Sequence, residues 1–391
     1  MATVAQLPFN QDHPLQVAPR LRELQSEGPI HRVRTATGDS AWLVTRHSDV
    51  RRLLDDDRLG RGHPEPETAA RLGESLFFGG PVGNFDTEHA DTAHMRELLQ
   101  PHFAPKHMRA LTTRIEALTA RLLDEMAQHG PPADLHTMLA VPLPILVICE
   151  LLGVPYEDRD QFQRWTSDVA NTSDRARSEQ GMGQLFTYGL QLVAAKRQEP
   201  GDDVISRLCA VEGVSDLEVA GLTMALLFAG HETTVVQIGL SAMLLLADPQ
   251  QWQALVEEPA LVPNAIEETL RAAHPRGFPV PRYARTDFDI DGVSIKTGEL
   301  VLLDLGAGNL DPTAFADPDR VDVTRSGASH LALGHGARYC LGAPLARIEL
   351  RTVFSQLISR FPTLRLAVDV TELRLPPDAL AGGLTELPVR W

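Results

Sequence analysis

LALGHGARYCLGAPLAR, residues 331–347, decides how the rest of this chain is read. Two glycines, Gly334 and Gly336, precede its cysteine, Cys340, and Gly342 follows it. Glycine takes backbone angles closed to other residues and lets a large planar ligand approach the chain. Pro344 opens an amphipathic segment, LARIELRTVFSQLISRF, and fits a first helical turn, where a missing N–H is not needed. Amides around Gly342 are then free to point at the sulfur. A thiolate just ahead of a helix N-terminus gains from those donors and from the positive end of the helix dipole. Taken alone, Cys340 has a second reading as a structural cysteine in a packed core, the usual fate of a free thiol. The glycines, and Arg338 two residues away as a partner for an anionic group, favour an open loop that holds a cysteine anion.

Working outward, the chain has 391 residues and no Pro/Ser-rich linker or sustained charge run, so one folded unit over 1–391 is expected. Hydrophobic residues make up 43% and charged residues 23%, enough for a large core and unlike a disordered chain. A net charge of −16 argues against a nucleic-acid binder, which needs clustered Lys and Arg. Three cysteines, Cys149, Cys209 and Cys340, show no CxxC spacing, so neither a disulfide framework nor structural zinc is expected. The opening MATVAQLPFNQDHP lacks a basic stretch followed by an apolar core, and a cytoplasmic protein without a membrane anchor is expected.

The segmental pattern is mainly α with small β-sheets. Pro29–Thr35 and Ala41–Thr45 read as a hairpin, and His47–Asp55 as a helix with Val50, Leu53 and Leu54 on one side. Gly60 to Asn84 is rich in Gly, Pro and His; long irregular loops of this kind frequently cover binding sites. Beyond Ala90 the pattern is helical, broken at Pro101–Pro105, Gly130–Pro132 and Gly153–Pro155. Short strands are expected at Val280–Ala284, Phe288–Ile290, Val293–Ile295 and Leu300–Leu303, and a last small sheet at Leu364–Val368 with Leu387–Val389.

Ser215–Ala247 is the longest helical candidate, with Ser215 and Glu218 in capping-box positions. It is apolar nearly all round, which implies burial at the centre; a membrane span is the rival, opposed by the polar interruption His231–Glu232–Thr233–Thr234. A glutamate inside such a helix is costly unless it is paired, neutral or reaches water. Ala229 and Gly230 add no bulk at that level, leaving space for a ligand, and the threonines can turn their hydroxyls to carbonyls one turn back and distort the helix. A gap, an acid and an alcohol suit proton delivery; a helix-packing notch with a satisfied polar group is the alternative. Glu268 and Arg271 form an i, i+3 pair that by itself says little, since such pairs are common on solvated helices.

Gly334-x-Gly336-x-Arg338-x-Cys340-Leu341-Gly342-Ala343-x-Leu345-Ala346-Arg347 resembles the haem-binding signature of the cytochrome P-450 enzymes. The resemblance implies the fold of that family, with its long central helix over haem b (iron protoporphyrin IX), and Cys340 as the thiolate ligand of the iron in a loop framed by Gly334, Gly336 and Gly342. Arg338 would pair with a haem propionate. Leu333 departs from the pattern, which usually has Phe there beside the sulfur, whose surroundings set the redox potential. Ala229-Gly230-His231-Glu232-Thr233-Thr234 resembles the oxygen-activation motif, implying catalytic roles for Glu232 and Thr233, with Ala229 and Gly230 against the cofactor. Pro281-Arg282-Tyr283-Ala284 and Met95-Arg96-Glu97-Leu98-Leu99 resemble the elements that bring two further arginines, Arg282 and Arg96, to the propionates. The His often found four residues before the latter is Thr92 here, and the roles of His89, His94 and His231 stay open. Glu268-x-x-Arg271 and Asp317–Val321 resemble the family's structural network, its third partner unassigned.

The resemblance covers most of the chain, and its style is similar to actinobacterial members that modify natural products, macrolides above all. It implies a haem-thiolate monooxygenase that hydroxylates or epoxidises an apolar small molecule with O2 and with electrons from ferredoxin and ferredoxin reductase. Residues 60–84, 167–182, 226–233, 277–280 and 382–385 would select the substrate, and Lys106, Arg109 and Arg347 would attract the acidic electron donor. Rivals are a peroxide-driven or C–C/C–N coupling enzyme of the same type, a non-catalytic haem or small-molecule carrier, and a hydrolase using Cys340 with His335, which lacks an orienting acid.

Overall fold

The computed structural model describes residues 4–391 apart from 12, 275, 278, 328 and 376–382. Phe278 and Gly382, in two of the segments expected at the substrate, therefore lie outside the described residues. Helices predominate, arranged around Asp216–Ala247. This long helix starts where the Ser215 side chain accepts a hydrogen bond from the Glu218 amide at 3.2 Å. It stops at Asp248-Pro249, where Asp248 turns to cap the next helix through the Gln250 amide. At about 1.5 Å per residue its 32 residues span roughly 50 Å. Most of its side chains from Val235 to Leu246 are buried, so its length and apolarity serve a central core position.

Helices Arg175–Gln198 and Pro142–Leu152 pack against this axis, and Arg159–Val169 packs on Arg175–Gln198. Helix Ala343–Arg360 packs on Pro105–His129. Of the apolar stripe Leu111, Ile115, Leu118 and Leu122, whose helical spacing predicts burial, Leu111, Ile115 and Leu122 are buried and Leu118 is half-buried. The expected substrate connection at 167–182 is narrower than the sequence suggests: helices run to Val169 and resume at Arg175, leaving 170–174 between them.

Among the described residues the main sheet is mixed and has six strands, ordered Ala5–Gln6, Ile30–Arg34, Ser40–Val44, Leu300–Asp304, Pro279–Ala284 and Leu59–Gly60. The expected hairpin is present, with Ile30 opposite Val44. Its second strand runs parallel to Leu300–Asp304. At the far edge, Gly60 lies opposite Tyr283 in antiparallel register, which brings the start of the Gly60–Asn84 loop beside Arg282. The last sheet contains Arg365–Leu366 and Pro388–Arg390 as expected, with Ala133–Asp134 as a third strand. Helix Pro19–Glu27 and the two-residue strands at Ala5 and Ala133 were not legible in the pattern.

The Glu268–Arg271 pair is a buried anchor rather than a solvated surface pair. Both side chains are about 2% exposed, and Arg271 donates to Glu268 through Nε at 2.7 Å and Nη2 at 2.8 Å. Arg325 is the third partner, donating from Nε to Glu268 at 2.9 Å. The spare donors of Arg271 reach the carbonyls of Asn309, Pro318 and Arg320, stapling the irregular 311–325 segment to helix Val262–Ala272.

Candidate active site

The cysteine loop is shaped by two left-handed glycines. Gly334 has φ +75°, and Gly336 has φ +64° with Asp55 so near that a Cβ would sit 1.8 Å from its Oδ1. Asp55 accepts the Ala337 amide at 3.0 Å, so helix His47–Leu54 fixes the loop's outer bend. The loop closes on itself through the Cys340 amide and the Leu333 carbonyl at 2.8 Å. Gly342 is the N-cap of helix Ala343–Arg360 and has an ordinary φ of −79°; its lack of a side chain, not a special backbone angle, suits the position.

Cys340 is exposed, yet its surroundings raise its pKa. The sulfur thus opens into a recess rather than into bulk water. Burial is the largest influence and pushes the thiol up, opposed by the amides of Gly342 and Ala343 and by the charges of Arg347 and Arg96. The expected amide donors are present, and burial outweighs them.

On the long helix, Ala229 and Thr233 are exposed although the residues around them are largely buried. One turn apart, they mark a single open stripe facing interior space. Thr233 donates its hydroxyl to the Ala229 carbonyl at 2.8 Å, as expected, but the helix continues unbroken from Asp216 to Ala247. Gly230 does not contribute the ligand space expected of it: a Cβ there would meet Ile148 Cδ1 at 2.7 Å, so its missing side chain admits the neighbouring helix. Glu232 is half-buried, and burial pushes its carboxyl above the ordinary range. His231 points into the core, edge-on to Phe162 with ring centroids 6.3 Å apart, and neither ring nitrogen has a partner. His94 ties helix Glu88–Leu99 to Glu218 at 2.8 Å, and His89 is exposed.

A cluster of guanidiniums lies beside the loop. Arg338 donates to Glu88 Oε1 at 3.0 Å, and Arg282 is buried with its Nη1 on the Pro281 carbonyl at 2.9 Å. The sequence reading missed Arg61 and Glu88. Glu88 accepts the amides of Arg61 and Gly62 at 2.7 and 2.8 Å, and Arg61 Nε is buried without a partner. Burial, with charge from Arg61 and Arg338, pulls the Arg282 pKa down to about 9; burial pulls Arg61 to about 10, with Arg338 adding to the effect. Arg285 also reaches Glu88, at 3.5 Å, so one carboxylate faces a surplus of positive charge. Arg96 donates to the Tyr339 carbonyl at 3.0 Å, one residue from Arg338 in the chain. The strand register that sets Gly60 opposite Tyr283 was the available signal for Arg61, and it is not visible in a two-residue strand.

These features fit haem b: an exposed sulfur with amide donors, an open helix stripe, and an arginine cluster short of anions, which carboxylate side groups would complete. Arg347 is not the free cation expected for partner attraction. Its Nε and Nη2 grip Glu267, both at 2.8 Å, and its Nη1 reaches the Tyr339 hydroxyl at 2.7 Å. Lys106 and Arg109 are exposed.

The Cytochrome P-450 family model matches residues 191–374. Pentalenolactone synthase of Streptomyces exfoliatus is 42% identical, with 100% of both chains covered. Mycinamicin IV hydroxylase/epoxidase of Micromonospora griseorubida is 39% identical over 98% of each. Among solved structures, substrate-free PimD, a polyene macrolide antibiotic pimaricin epoxidase, superposes with a TM-score of 0.89 at 39% identity, covering 100% of both chains. The fold and the site define a haem-thiolate oxidoreductase. The chain belongs to the cytochrome P-450 family, and with it come haem b bound through a cysteine thiolate and monooxygenase activity on apolar substrates with O2.

Proposed function

We propose that this monooxygenase hydroxylates or epoxidises an apolar natural-product scaffold, a macrolide or related metabolite, in the cytoplasm, with electrons from a ferredoxin and its reductase, and that residues 1–391 act as one unit. The observation that carries the site assignment is the pairing of an exposed sulfur at Cys340 with an exposed Ala229–Thr233 stripe inside an otherwise packed core. Cys340 is the iron ligand, with the Gly342 and Ala343 amides damping its charge. Arg282 and Arg338 hold the propionates, and Arg96 braces the loop through Tyr339 while contributing positive charge near the sulfur. The bound haem supplies the redox chemistry of oxygen activation.

The chain's own residues manage protons and water. Glu232, whose burial shifts its carboxyl toward the protonated form, is a proton relay one residue from the open stripe. The Thr233 hydroxyl is parked on the Ala229 carbonyl, leaving its oxygen as an acceptor at the stripe. Phe77 and Phe228, with ring centroids 4.6 Å apart, and Phe78 beside them form an aromatic cluster next to Ala229 that suits an apolar substrate. The relatives that hydroxylate or epoxidise mycinamicin and pimaricin support that substrate class. Exposed Lys106 and Arg109 suit an acidic electron donor beside a recess of about 600 Å³ lined by Arg96, Phe103, Tyr339, Cys340 and Leu341.

The test is a panel of macrolides and lactones titrated against the haem's optical spectrum, followed by turnover with ferredoxin, reductase and NADPH under isotopically labelled O2. The expected result is reductant consumption coupled to a product carrying one labelled oxygen. Binding without reductant consumption by any ligand contradicts it and favours a carrier.

A further inference from the structure

Residues 72–79 form a closed turn above the open stripe. The Leu72 amide bonds the Gly79 carbonyl at 2.6 Å and the Gly79 amide bonds Ser75 at 2.7 Å. A Cβ on Gly79 would lie 2.2 Å from the Gly73 carbonyl, so the turn closes only with glycine there. Three sides hold it. Phe77 rests on Phe228, the residue before Ala229, with ring centroids 4.6 Å apart. Ser75 Oγ donates to the Val169 carbonyl, the Leu76 amide donates to Ser178 Oγ, both at 3.0 Å, and the Glu74 amide donates to Thr172 at 2.9 Å. The third side is Arg61, which donates from Nη2 to the Phe77 carbonyl at 2.7 Å and lays its guanidinium over the Phe78 ring at 5.3 Å.

Arg61 alone among these tethers also belongs to the anion-poor cluster with Arg282 and Arg338, where its Nε is buried without a partner. The same side chain therefore borders the arginine cluster at one edge and the aromatic residues Phe77 and Phe78 at the other. We propose that Arg61 is a positioning residue that transmits propionate binding to the 72–79 turn, setting Phe77 and Phe78 against the substrate. The inference rests on the proposed haem site. An anion beside Nε offsets the repulsion from Arg282 and Arg338 and satisfies the orphan donor, so Nη2 stays on Phe77; without the anion the guanidinium has reason to turn away and release the turn.

The experiment uses holoprotein with intact Cys340. Hydrogen exchange is measured at 72–79, and optical titrations compare a bulky apolar ligand with imidazole, which reaches the iron without needing Phe77 and Phe78. In R61M, exchange at 72–79 and the dissociation constant of the bulky ligand are expected to rise about tenfold, the loss of roughly one charge-assisted hydrogen bond, while imidazole affinity stays within about twofold. R61K restores part of both. Because R61M can fail to retain haem, wild-type protein is also reconstituted with iron protoporphyrin dimethyl ester, which removes the anions without a mutation; the same loosening of 72–79 is expected. Unchanged exchange and bulky-ligand affinity in R61M or in the ester-reconstituted protein, or equal weakening of both ligands, overturns the role of Arg61. Wild-type protein that takes up no haem refutes the underlying site reading instead, so the two failures are distinct.

Discussion

Glu268→Gln probes the anchor that fixes the chain between the central helix and the cysteine loop. Glu268 accepts four hydrogen bonds: two from Arg271, one from Arg325 Nε and one from the Asp322 amide, all between 2.7 and 2.9 Å. Glutamine keeps the shape but removes the charge, and places an amide donor against guanidinium donors. Arg271, about 2% exposed, and Arg325, 14% exposed, then lose the counter-charge that compensates their burial. Breaking a buried pair by removing one partner costs about 3–5 kcal/mol, about a fifth or more of the stability of a typical fold. Urea unfolding of the holoprotein, followed by circular dichroism and by haem release, should show a lower midpoint at an unchanged slope. Glu23→Gln is the control: its pair with Arg20 is solvent-exposed, and the expected loss is below about 0.5 kcal/mol. A Glu268→Gln protein within about 1 kcal/mol of wild type would refute the view that this network carries net stabilising charge interactions.

Glu232→Gln and Thr233→Ala should each lower product formation about 100-fold or more while reductant consumption persists as hydrogen peroxide release, read as the ratio of product to NADPH consumed. Gly336→Ala places a methyl on Asp55 at a left-handed φ of +64° and should reduce the fraction of protein that retains haem, measured by the haem-to-protein absorbance ratio. His231→Leu removes two buried unpartnered nitrogens and should raise stability by about 1–2 kcal/mol at pH 7. Burial pulls the His231 pKa from 6.5 to about 4, so the unfolded chain takes up the proton first. The wild type therefore takes on a further penalty from this residue as pH falls from about 6.5 to about 4, at up to ~1.4 kcal/mol per unit, and the variant does not; unfolding midpoints across that range check it.

What the sequence disclosed depended on how local the signal was. The Cys340 loop and the capped helix at Ser215 are written in consecutive residues, as glycines, a proline and a serine with known backbone consequences. Glu268–Arg271 by itself looked like any helical surface pair and only the family resemblance implied its structural role, because Arg325, which helps bury it, lies 57 residues away. Arg61 carried no sign of its place: it sits in an irregular loop, and only the pairing of Leu59–Gly60 with Tyr283–Ala284 sets it beside Arg282. The absence of bulk at Gly230 was visible, but not which neighbour uses it, and Ile148 does. Arg347 read as an available cation, whereas Glu267 and Tyr339 occupy it.

The central claim, that Cys340 is the thiolate ligand of the haem iron, is tested most directly by the reduced carbon-monoxide spectrum of the holoprotein and of a Cys340→His variant. The account predicts the red-shifted Soret band of thiolate ligation in the wild type and its loss in the variant. The same red-shifted band in both proteins would contradict it.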